Sequence, residues 1–208
     1  MQFTDDVEML RLTRAETLRL GAGVTQMQSE FTPARGKWSV GEVLDHLLLA
    51  EDYYRRMIAR LVELDKSGAR PVISSSFADV NTSIAYIPKS LLPMLEIPFT
   101  VLNMFVPTPV REAMTQLRFL PAQNPDMAKP QHGKPLKELR DALAASYEQT
   151  AAVFQSNPGL NYRGMRYRHP LLGDNNVLQV LRIVALHERR HHSQIKEILR
   201  ARQFPKVA

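Results

Sequence analysis

Cysteine is absent from this 208-residue chain. That excludes a disulfide framework, a thiolate metal site and a cysteine nucleophile. A transition metal would have to rest on histidine, aspartate or glutamate. The lack of cysteine also suits a reducing compartment. No leader is expected either, since MQFTDDVEML has neither a basic n-region nor an apolar h-region. A membrane span needs about 20 consecutive apolar residues. The nearest approach, Lys89 to Arg111, encloses only Glu96 as a charge but is broken by Pro93, Pro98, Pro107 and Pro109. The expectation is a cytoplasmic protein with no membrane span. Internal repeats and low-complexity tracts are lacking as well. The net charge of +6 raises nucleic acid as a partner, but Lys and Arg are scattered with no run of five. No nucleic-acid partner is expected from such a pattern.

What is present is helical periodicity. The length suits one domain, 1–208, and 44% apolar residues suffice for a core. Four segments read as long helices. The first covers roughly residues 4–29, with Thr4 as cap and Asp5 and Asp6 at the positive end of its dipole. The second starts at Ser39-Val40-Gly41-Glu42, a capping box. It carries Val43, Leu47, Ala50, Tyr54, Met57 and Leu61 at steps of three and four, and ends near Ser67-Gly68. The third begins near Pro135 and stops at Asn157-Pro158-Gly159. The fourth begins after Gly173, with Asp174 or Asn175 as cap, and runs to about Arg202.

Between the second and third helices, residues 67–135 hold ten of the fourteen prolines. Short helices are expected there at 82–94, 97–106 and 109–119, and 121–135 reads as an exposed, extended loop. Strand signals are nearly lacking; VISSSF (72–77) is the one weak candidate. Four long helices with one long connection imply an all-α bundle in which the second and third helices run parallel.

Histidine placement carries the chemistry. His187-Glu188-Arg189-Arg190-His191 reads as H-E-x-x-H. With Leu181 at zero on a helical wheel, His191 falls at about −80° and His187 at about −120°, on the edge of the apolar stripe. Being four apart, they lie on one face of the helix, where two imidazoles can share one ion. On the second helix His46 falls at about −60° from Val43, again beside the core, while Asp45 and Asp52 point away. Three neutral nitrogens from two helices match the three-ligand pattern of catalytic metal sites. The alternative is a set of buried histidines that hydrogen-bond within the core.

A metalloprotease needs a further ligand. Only 17 residues follow His191, and the extended motif H-E-x-x-H-x-x-G-x-x-H meets Gln194 and Glu197 at its Gly and last His positions. The protease reading therefore fails. Glu188, at about −20°, also points inward. It is expected to accept a ligand's second N–H, to act as general base, or to pair with Arg or Lys on a neighbouring helix. His192 is expected to hydrogen-bond structurally, His132 to be solvated and His169 to sit in a turn. Arg189 and Arg190 are expected to face solvent.

Trp38-Ser39-Val40-Gly41-Glu42 with Leu44-Asp45-His46-Leu47 resembles the second-helix signature of the DinB/YfiT-like metalloenzyme family. His169-Pro170-Leu171-Leu172-Gly173 through His187-Glu188-Arg189-Arg190-His191 to Gln194-Ile195 is similar to that family's turn and last helix. The resemblance implies a DinB-like up-down-down-up four-helix bundle with a long crossover, and a divalent metal, zinc or nickel foremost, held by His46, His187 and His191. It also implies a small-molecule substrate and a hydrolase or thiol-dependent transferase activity, the latter with a low-molecular-weight thiol cofactor. The Pro-rich insertion at 67–135 departs from the family pattern, and its apolar stretch 82–106 suggests a homodimer contact. The alternative is a non-catalytic metal- or ligand-binding bundle.

Overall fold

A computed structural model describes residues 4–76, 109–110, 128–169 and 172–206. Described residues are mostly helical, with a small three-stranded sheet. In chain order the elements are α1 (Thr4–Ala22), α2 (Gln26–Ser29), α3 (Val40–Lys66), β1 (Val72–Ser74), α4 (Leu136–Gln155), β2 (Arg166–His169), β3 (Gly173–Asn176) and α5 (Val177–Leu199). Among the described residues no helix is long and apolar enough to cross a membrane. The short helices expected at 82–94 and 97–106 lie outside the described residues. Of the one at 109–119 only 109–110 are described, and these are helical.

The expected first helix is two helices. The first stops at Ala22, and Thr25 caps the second: its side chain accepts from the Gln28 N–H while the Gln28 side chain accepts from the Thr25 N–H. This second capping box, T-x-x-Q, opens α2. Ser39 and Glu42 form the expected box at the start of α3. Gly41, in the first turn, lets α2 approach closely: a Cβ there would lie 3.1 Å from the Ser29 carbonyl oxygen. At the far end Ser67 caps α3, and Gly68 turns the chain with a φ of +73°, a conformation glycine adopts without steric cost. Pro135 precedes α4 as expected.

The fourth long helix starts later than its sequence suggests. Asn176, not Asp174 or Asn175, is the cap, in a capping box with Gln179. Residues Gly173–Asn176 form β3, antiparallel to β2, and β2 pairs in parallel with β1. Only β1 falls on the expected strand candidate. Strands as short and polar as RYRH and GDNN leave little apolar alternation to read. Inward Tyr167 and His169 alternate with outward Arg166 and Arg168, and only burial reveals it. The sheet docks on α3 through hydroxyls: Tyr53 and Tyr167 meet at 2.6 Å, and Tyr167 donates to Ser75 Oγ at 3.0 Å.

Helix α1 packs on α4 and α5, and α3 packs on the same two. Among the described residues the apolar interior forms two clusters. One gathers Leu10, Ile58, Leu61, Phe154, Met165, Tyr167 and Leu181 next to the sheet. The other gathers Leu20, Val43, Leu44, Leu47, Leu143, Ile195 and Ile198. Between them on all four long helices lies a buried polar tier of Arg14, Thr17, Glu51, Thr150, Glu188 and His192.

Candidate metal centre

Arg14 is the hub of that tier. Its Nε donates to Glu188 Oε1 at 2.8 Å, and one terminal nitrogen reaches Glu51 Oε2 at 2.6 Å and Glu188 Oε2 at 3.1 Å. The other terminal nitrogen donates to the Leu143 carbonyl. Thr150 donates to Glu51 Oε1 at 2.8 Å and Thr17 to Glu188 Oε1 at 2.5 Å, so all four carboxylate oxygens have donors. Burial works against the Arg14 cation, but the Glu188 and Glu51 carboxylates outweigh it and raise its pKa. The tier thus fixes α5 against α1, α3 and α4. His192 Nε2 meets Thr17 Oγ1 at 2.8 Å, the structural bond expected of it.

One helical step from Glu188, three imidazoles converge. His46 Nε2 lies 3.2 Å from His187 Nε2, and His191 Nε2 lies 3.2 Å from the same atom. One ligand nitrogen from each ring falls within 4.8 Å of the others. A tetrahedral ion bound at about 2.0–2.1 Å by each nitrogen would hold them about 3.3–3.4 Å apart. His46 and His191 are buried and His187 is partly exposed.

The protons of two rings are fixed from behind. His46 Nδ1 lies 2.7 Å from the Ala128 carbonyl oxygen, which only accepts, so Nδ1 carries the ring proton. His191 Nδ1 likewise meets Gln194 Oε1 at 2.8 Å. Both Nε2 atoms therefore turn lone pairs toward His187. A single proton on His187 Nε2 could serve one of them fully, whereas a cation satisfies all three. Burial depresses all three pKa values. For His187 the effect is large and is reinforced by His191, His46 and Arg190. His191 falls to about 3, through burial first and then His46 and Arg190. For His46 burial outweighs the Ala128 bond, and Arg190 adds to the lowering. The donor set is neutral, and it fits a divalent metal.

Several residues sit differently from their sequence expectation. Glu188 is held by Arg14 and Thr17, so of its three expected roles the interhelical ion pair is the one occupied. Asp45 does not point to solvent. It is wholly buried, accepting the Gln131 N–H at 2.8 Å and the Lys134 ammonium at 2.8 Å. A helical wheel drawn for one core cannot know that a segment more than eighty residues later covers the second face. For the same reason the described part of the 121–135 loop is not all exposed: Ala128 is buried against α3. Arg190 is half-buried, with its charge felt by all three rings, while Arg189 is exposed. His132 is exposed as expected, 3.3 Å from Glu42. His169 closes β2, accepting the Leu172 N–H at 3.1 Å, and burial lowers it to about 4. Sequence periodicity had no means of finding Arg14, Ala128 or Gln194. Trp38 belongs to the motif, and its ring packs 4.8 Å from that of His46 and 6.2 Å from that of His191.

The family model of the DinB superfamily matches residues 9–195. No curated protein and no solved structure matches the chain.

Proposed function

The chain belongs to the DinB superfamily, and on that premise we propose that it is a metal-dependent enzyme acting on a small molecule, as a hydrolase or a thiol-dependent transferase. Its ligands are His46, His187 and His191, with zinc or nickel as occupant. The four long helices form an up-down-down-up bundle, and the whole chain is one domain with 67–135 as an insertion. The observation that carries this reading is the convergence of three neutral imidazoles whose lone pairs have no mutual solution.

A divalent ion held there supplies Lewis acidity to a water or a thiol. The remaining work belongs to the chain's own residues. Three neutral nitrogens leave the ion's charge undiminished. Ala128 and Gln194 keep ring protons on the far side of His46 and His191, so the donor atoms stay aimed. Trp38 packs beside these two rings, tilted against His46 and nearly parallel to His191. Partly exposed His187 marks the side from which substrate arrives. Arg190 adds positive charge beside the rings, which favours their neutral form. Glu188, saturated by Arg14 and Thr17, fixes α5 rather than accepting a substrate proton.

The test is elemental analysis of protein purified without chelator, for the wild type and for His46→Ala, His187→Ala and His191→Ala. About one equivalent of metal in the wild type and its loss in each variant are expected. A His46→Ala protein with full occupancy would overturn the ligand assignment. Turnover is then sought across a panel of thiol acceptors, esters and amides. A metal-loaded protein inert on the whole panel would favour the binding-protein alternative.

A further inference from the structure

The neighbour of the first ligand has its own partner set. Asp45 and His46 are adjacent on α3, and both engage one short stretch of chain. His46 Nδ1 donates to the Ala128 carbonyl at 2.7 Å. Asp45 Oδ2 accepts the Gln131 N–H, and Asp45 Oδ1 accepts from Lys134 Nζ, each at 2.8 Å. Asp45 is completely buried and Ala128 is 4% exposed. Pro130 stands between the two anchor points. Its ring fixes its own φ and restricts Lys129 before it, so the stretch is stiff. A displacement at Gln131 therefore moves the carbonyl at Ala128.

We propose that Asp45 is a positioning residue for the metal centre, clamping Gln131 and Lys134 so that the Ala128 carbonyl holds His46 with Nε2 aimed at His187 and His191. This rests on the metal-site reading above and adds a layer to it. Asp45 holds a backbone carbonyl, that carbonyl holds a ligand, and the ligand holds the ion. The approach to α4, far in sequence from α3, becomes part of the site. Because coupling between two events is reciprocal, metal binding in turn tightens residues 128–134.

The inference can fail while the metal site stands. Partners that orient a metal ligand alter affinity about 10–100-fold when removed. Zinc affinity is measured by competition with a chromophoric chelator for the wild type, Asp45→Ala, Asp45→Asn and Lys134→Met. Asp45→Ala loses both contacts and is expected to fall about 10–100-fold. Asp45→Asn keeps an acceptor for the Gln131 N–H and should fall less, as should Lys134→Met. In the metal-free proteins, nitrogen NMR of the His46 ring is expected to show an Nδ1–H tautomer in the wild type and a tautomer mixture in Asp45→Ala. Amide exchange at Gln131 should slow on adding zinc to the wild type. A merely structural role would lower affinity only in proportion to the unfolded fraction and leave the tautomer unchanged. That result, or an Asp45→Ala protein with wild-type zinc affinity, overturns the proposal. A wild type that binds no zinc overturns the metal-site reading instead.

Discussion

Replacing Arg14 by methionine leaves two carboxylates buried with their shared cation gone. Arg14 donates to Glu188 twice, to Glu51 and to the Leu143 carbonyl. Methionine fills most of the volume and returns none of these donors. Thr17 and Thr150 still reach one oxygen of each carboxylate, so each keeps one bond and faces the other without a counterion. Breaking a buried ion pair from one side costs about 3–5 kcal/mol. For a chain of this size that lowers the melting temperature by about 6–20 °C at 2–4 °C per kcal/mol. Urea unfolding of the metal-free protein is the assay, with the slope checked for constancy so that the midpoint reports stability. The triple variant Arg14→Met/Glu51→Gln/Glu188→Gln removes the stranded charges and should recover at least half of the loss. If Arg14→Met costs less than 1 kcal/mol, or the triple variant recovers nothing, the electrostatic account of this tier is refuted.

Stability of the metal-free protein should fall with acid, partly through His169. Its pKa drops from 6.5 unfolded to about 4 folded, so its contribution is complete above pH 6.5 and is lost as pH falls toward 4. That is worth about 3 kcal/mol at most, and His169→Gln should flatten the urea-midpoint profile over this window. Gly41→Ala should destabilise by about 1 kcal/mol, because the new methyl meets the Ser29 carbonyl. A stabilised variant would show that helix propensity outweighs the contact. Ser39→Ala should cost about 1 kcal/mol by removing the cap of α3; a cost near zero would show that Glu42 alone suffices. Trp38 is the only tryptophan and lies against His46 and His191, so Co(II) or Ni(II) should quench its fluorescence and saturate at one equivalent. Quenching that survives in His46→Ala would place the ion elsewhere.

The long helices were legible because period and punctuation agreed. Ser39 and Glu42, Pro135, and Ser67-Gly68 each sit at an observed boundary. The convergence of His46, His187 and His191 was legible from helical phase and from motif. What escaped has a common physical origin. Thr25 and Asn176 are caps inside stretches read straight through, because a short polar side chain alone does not say which turn it closes. β2 and β3 are stabilised by pairing with each other and with β1, and a nonlocal bond leaves no local trace. Asp45 looked like a solvent-facing carboxylate because its partners come from a loop, where no periodicity points back to α3. Arg14 was hidden because its partners are distant in sequence: an arginine on an amphipathic helix reads as surface until two glutamates from other helices claim it.

The buried polar tier between the two apolar clusters sets the register of the long helices. Four rods with uniformly greasy contacts could settle in neighbouring registers, about 5.4 Å apart along each axis. Here a slip of α5 by one turn would press Glu188 into Leu and Ile side chains and strand Arg14. Only one alignment keeps charge against charge, and it is the alignment that brings the three rings level. The three rings are therefore held level by the protein's own contacts, and on the metal-site reading proposed above an ion would leave and return without the chain losing its fold.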